Sequence, residues 1–175
     1  MIKHTGIFGP GQCGKTFGCK ALSRAHWTDD RRPSLVLDPN NEDWGPQALV
    51  FTDMSRFLPV VWKKRDCAVF IDEATMTIDR NTAFTDLFTR IRHRGHYLHV
   101  IGHRATVLQP VQRDQFSVLF LFRQSPGAAK IWAEEWADDR ILQATTLVKY
   151  EFLLCNKFEG PGGTHLIKRG RFPAK

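Results

Sequence analysis

Gly9-Pro10-Gly11-Gln12-Cys13-Gly14-Lys15-Thr16 is the stretch that decides how this sequence folds. It meets every fixed position of G-x-x-x-x-G-K-[ST]. An apolar segment, residues 4–8, runs into it, and a helix-forming segment from residue 15 to about residue 27 leaves it. Strand, glycine turn and helix in that order build a cradle for phosphate. The glycines let backbone N–H groups close around the anion, and the helix aims its unpaired N–H groups at the same point. Residues 9–17, ending in Phe17, are therefore the nucleotide-binding candidates, with ATP as the nucleotide. The Lys15 ammonium is placed to bridge the outer phosphates, and the Thr16 hydroxyl to ligate Mg²⁺.

Downstream, Cys67-Ala68-Val69-Phe70-Ile71 is an unbroken apolar run closed by Asp72-Glu73. A continuous hydrophobic run of this length is a strand buried on both faces. In an open parallel sheet, carboxylates at its C-terminal end share an edge with the phosphate loop. Asp72 is the expected Mg²⁺ ligand, through a coordinated water. Glu73 is expected to orient and deprotonate the attacking water. A water activator suits a hydrolase, whereas a small-molecule kinase needs none.

A strand at residues 98–101 is expected beside the Asp72 strand and ends in Gly102-His103-Arg104. His103 is the candidate polar group for contact with the terminal phosphate and the attacking water. Arg90, Arg92, His93 and Arg94 crowd the end of an amphipathic helix at residues 83–93, outside its apolar Phe84, Leu87, Phe88, Ile91 stripe. Transition-state charge on a transferred phosphoryl group calls for such a cation. Arg94, supplied in trans by a neighbouring protomer, is the first candidate and Arg123 the second.

Short apolar runs alternating with helical patterns make the chain α/β, with a mostly parallel central sheet flanked by helices. A second strand is expected at residues 35–37, a loop at 40–46 and a helix at 54–64 bent or split by Pro59. A last core strand falls at 118–122 and a helix at 128–138. A C-terminal β-hairpin is expected within 148–168, around Gly160-Pro161-Gly162-Gly163. The total is about five core strands and two late ones. All 175 residues are read as one domain, with 124–175 its extension.

The bulk properties agree with a packed domain: 42% hydrophobic and 25% charged residues. A formal charge of +7 and a pI near 9.5 favour a polyanionic partner, nucleic acid or a membrane surface. The four cysteines form no CxxC pair and suit free thiols in a reducing cytoplasm. Cys13, inside the glycine loop, is the thiol open to oxidation. No leader segment is visible, and no apolar stretch is long enough to enter a bilayer.

The phosphate loop, the strand ending Asp72-Glu73, the segment Arg92-His93-Arg94-Gly95 and the strand leading to Gly102-His103-Arg104-Ala105 together resemble the FtsK–HerA superfamily of P-loop ATPases. Relatives carry Thr-Gln where this chain has Gly102-His103. The short length resembles the genome-packaging ATPases of tailless, lipid-containing icosahedral viruses. The resemblance implies a RecA/FtsK-like fold. It also implies a homo-oligomeric ring, pentameric or hexameric, that moves double-stranded DNA into a preformed capsid at one vertex, in the host cytoplasm or on the virion. Candidate DNA contacts are Lys63, Lys64 and Arg65, or the tail residues Lys168, Arg169, Arg171 and Lys175. No DNA-reading module is apparent, so binding should be independent of base sequence. The competing readings are a membrane-partnered assembly or secretion ATPase, a small-molecule kinase and a nucleotide-gated binding module.

Overall fold

The computed structural model describes residues 3–72 and 82–172. In chain order its strands are β1 (Thr5–Phe8), β2 (Ser34–Leu37), β3 (Ala48–Phe51), β4 (Ala68–Ile71), β5 (Tyr97–Gly102), β6 (Val118–Leu121), β7 (Glu151–Asn156) and β8 (Leu166–Arg171). The helices are α1 (Lys15–Asp30), α2 (Met54–Lys63), α3 (Thr82–Arg90), α4 (Pro110–Arg113) and α5 (Pro126–Trp136). The strands form one sheet in the order β3-β2-β4-β5-β1-β6-β7-β8. β1 to β6 are parallel, and β7 and β8 add antiparallel strands at one side.

Residue alternation along the central strands sorts the core into two layers. Leu35, Leu37, Val69, Ile71, Leu98 and Val100 face one layer with Phe57, Leu87, Phe88 and Trp132 from α2, α3 and α5. Val36, Ala68, Phe70 and Ile101 face the other, with Cys19 of α1 and Trp44. This period of two, buried on both sides, is why the strands read as unbroken apolar runs. α1 presents small buried residues, Gly18, Cys19 and Ser23, to the sheet, so it packs close. Ser125 opens α5 by accepting from the Ala128 N–H at 3.3 Å.

Several boundaries differ from the sequence reading. β3 was not expected, although Ala48–Phe51 is a continuous apolar run; in the fold it is a half-exposed edge strand in which Leu49 is 51% exposed. α1 runs on to Asp30 and stops where Arg31 turns left-handed at φ 55°. Pro59 sits inside an unbroken α2. α3 ends at Arg90, and a 3-10 turn, Ile91–Arg94, completes the expected helix. The helix expected at 128–138 begins two residues earlier, at Pro126. The C-terminal hairpin is present as β7 and β8. It is anchored because Leu153 and Cys155 join the main core and Phe152 packs on Phe120 at 5.4 Å.

Candidate functional site

The glycine loop leaves the C-terminal end of β1, which lies between β5 and β6. Its first residue is tied to β5 by the Gly9 N–H donating to Gly102 O at 3.2 Å. A Cβ on Gly9 would lie 2.5 Å from Phe122 Cβ, so only glycine fits there. Gly14, directly before α1, has φ 104°, a conformation that side-chain-bearing residues adopt only with strain. Gln12 also turns left-handed, at φ 57°. Pro10, Gly11 and Gln12 are exposed, as the lip of a phosphate cradle must be.

Lys15 is buried, and its ammonium donates to Gly9 O at 2.8 Å and to Pro10 O at 2.6 Å. The two carbonyls satisfy the amine in the way phosphate oxygens would. Thr16 Oγ1 donates to Asp72 Oδ2 at 3.3 Å. Hydroxyl and carboxylate therefore converge from α1 and β4, although β5 separates β4 from β1 in the sheet. Asp72 is 4% exposed, and two hard oxygen donors at this distance fit one shared divalent cation. Glu73 lies outside the described residues.

Cys13 is buried, and burial pushes its thiol above the usual range despite the nearby Lys15 ammonium. The thiol therefore stays protonated and packed, which argues against the oxidation expected of it from its place in the loop.

A cleft of about 660 Å³ opens beside the loop, lined among others by Pro10, Gly11, His103, Arg104, Arg123 and Gln124. His103 follows the last residue of β5, so the expected polar residue does reach the loop. Arg123 reaches it too, from the end of β6. Arg94 does not: it precedes β5, at the opposite sheet edge. A six-residue strand separates it from the loop by roughly 20 Å, so Arg94 could serve only another protomer's nucleotide.

Two cleft residues were given no role by the sequence reading. Arg104 is an exposed loop cation. Gln124 is buried, and its side-chain amide donates to Phe8 O at 3.0 Å and Phe122 O at 2.9 Å. It thereby braces the strand end from which the loop springs. On the other side of the loop, Phe17 is 41% exposed and stands edge-on to Phe172 at 6.0 Å. The Tyr150 ring comes within 3.4 Å of the Cβ position of Gly14. These rings form an aromatic rim at the start of α1.

No known family profile and no curated protein match the chain. Solved structures do. The genome packaging NTPase B204 from Sulfolobus turreted icosahedral virus 2, in complex with AMPPCP, superposes with a TM-score of 0.75 at 17% identity, over 99% of this chain and 98% of that one. B204, the DNA-packaging ATPase from Sulfolobus turreted icosahedral virus, gives 0.72 at 17% identity over the same shares. VirB4 of Thermoanaerobacter pseudethanolicus gives 0.73 at 10% identity, over 98% of this chain and 90% of that one. Phosphate loop, strand order and neighbours agree: the chain has the fold of the FtsK–HerA-like P-loop ATPases.

Proposed function

We propose that this protein binds Mg-ATP at residues 9–17 and hydrolyses it to drive double-stranded DNA into a viral capsid, as one protomer of a homo-oligomeric ring at a virion vertex. The observation that carries the reading is the convergence of Lys15, Thr16 and Asp72 at the mouth of the glycine loop. A bound Mg²⁺ would neutralise phosphate charge as the terminal phosphoryl is transferred. The protein's own part is positional. Lys15 exchanges two backbone carbonyls for phosphate oxygens, at little desolvation cost because the amine is already buried. Thr16 and Asp72 would hold that cation between them. The rim of Phe17, Tyr150 and Phe172 offers ring faces for the base to pack on.

Glu73, next to Asp72 in the chain, takes the proton of the attacking water. His103 holds that water against the terminal phosphate. Arg123 stands at the loop as a charge donor within the protomer, while Arg94 acts only across a protomer boundary.

Steady-state ATP hydrolysis with and without linear duplex DNA, across a salt series, tests this reading. DNA should raise turnover, and the effect should fade steeply with salt because phosphate contacts release counterions. Glu73→Gln should lower turnover by about 10²–10⁴-fold while nucleotide binding persists. Unchanged turnover with every form of DNA, and no binding at low salt, would sink the translocase claim. The likeness to VirB4 supports a second reading, a secretion or assembly ATPase with a membrane-anchored partner. Among the described residues no helix is long and apolar enough to cross a membrane. Co-sedimentation with membranes, without DNA binding, would favour that alternative.

A further inference from the structure

The sheet topology merges two basic runs that lie far apart in the sequence. The end of α2 and the loop that joins it to β4 hold Lys63, Lys64 and Arg65, and the turn before β5 holds Arg92, His93 and Arg94. β4 and β5 are adjacent and parallel, so both segments lie at the N-terminal edge of the sheet, opposite the phosphate loop. Hydrogen bonds join them directly. The Asp66 N–H donates to Arg94 O at 3.0 Å, and the Cys67 N–H donates to His96 Nδ1 at 3.0 Å. His96 Nε2–H in turn donates to Val61 O at 3.0 Å, which pins the second segment to α2.

The result is a single fixed bank of exposed cations. Among the described residues, none of Lys63, Lys64, Arg65 and Arg92 is in an ion pair, and all four are exposed. Several other cations on this edge are paired: Lys3 with Glu159, Arg32 with Asp66, next to Arg65, at 3.9 Å, and Lys157 with Asp114 at 3.4 Å. The bank's field reaches into the fold, since the Arg92 charge adds to burial in holding His4 below its ordinary range.

We propose that this bank is the surface that grips the phosphate backbone of double-stranded DNA; the inference rests on the DNA-translocase reading above and names the face that would perform it. Unpaired ammonium and guanidinium groups spread over two rigid loops suit a rail of phosphates and read no base edges. A lipid surface is the poorer fit. Apolar groups beside the cations would strengthen binding to a membrane interface, and no exposed large hydrophobic residue falls in either segment. The location also separates grip from chemistry. β4 runs from the bank to Asp72, and β5 runs from it to His103, so DNA and nucleotide sit at opposite ends of the same two strands.

The test is fluorescence anisotropy of a labelled linear duplex with the full chain and with Lys64→Ala/Arg65→Ala/Arg92→Ala, over a salt series. The triple variant should bind about 10–100-fold more weakly at low salt, and its log K against log[salt] slope should be shallower by about 2–3. Its DNA-independent ATP turnover and melting temperature should match the parent. Lys64→Arg/Arg92→Lys should restore binding, which a merely misfolded surface would not allow. If the parent binds duplex and the triple variant binds it equally well with the same slope, DNA is gripped elsewhere and the assignment is wrong. Loss of DNA-independent turnover in the triple variant with DNA affinity intact would make the bank a protomer boundary, also overturning it. Capture by anionic vesicles in preference to duplex would do the same. A parent that binds no duplex at all removes the translocase reading first, and the bank's role with it.

Discussion

At the scale of single residues, the site depends on an amine held out of water before any phosphate arrives. Lys15 is 8% exposed and rests on two carbonyls. Lys15→Ala should lower ATP turnover by about 10²–10³-fold, the usual loss when one preorganised charge donor is removed. Turnover within a few-fold of the parent would show that the loop does not serve hydrolysis. The histidines give a second residue-level expectation. Burial is the main cause that lowers His4, His26, His96 and His99, with His4 brought to about 4. Below pH 6.5 the unfolded chain takes up protons that the folded chain refuses, so stability falls as the pH falls. His4 alone accounts for about 3 kcal/mol between pH 6.5 and 4. Melting temperature should therefore drop from pH 7.5 to pH 5, and less so in His4→Phe. Equal melting temperatures at both pH values would refute this.

At the scale of elements, the phosphate loop is placed by what its flanking strands tolerate. Gly9→Ala would drive a methyl group to 2.5 Å from Phe122 Cβ and 3.1 Å from Cys13 Sγ. Neither atom lies at the end of a long side chain, so the loop root must move. A cost of about 1–3 kcal/mol in stability is expected, with weaker nucleotide binding, measurable by thermal melts and by nucleotide titration. Gln124→Leu keeps the volume but removes the brace to the Phe8 and Phe122 carbonyls. Its expected cost is about 1–3 kcal/mol. Unchanged stability and unchanged ATP affinity would show the brace to be idle. The sequence reading placed most strands well, because strands buried on both faces cannot be anything but continuously apolar. It passed over β3, a four-residue apolar run beside a turn-rich loop that ends up half-exposed at the sheet edge, and the one-turn α4, too short to show a helical period.

At the scale of the whole molecule, the C-terminal hairpin is part of the core. Leu153 and Cys155 are buried, and the rings of Phe152 and Phe172 meet Phe122, which packs against the loop root. A chain ending at residue 147 should therefore lose its cooperative melt. Phe158→Ser, by contrast, alters a side chain on a residue 72% exposed and should shift stability by no more than about 0.5 kcal/mol. A truncated chain that melts like the parent would mean the hairpin is an appendage.

The sequence by itself determined the local chemistry: a loop with glycines where phosphate must approach, a lysine and a threonine at fixed offsets, and an apolar strand ending in acids. Those features depend on neighbours within a few residues, and spacing along the chain records them. Strand order was decided only in three dimensions. It seated β5 between β1 and β4, sent Arg123 to the loop and Arg94 to the far edge, and joined residues 63–65 to 92–94 in one charged face. Which distant segments become neighbours is set by how two apolar layers close over the whole sheet, and no local spacing encodes that.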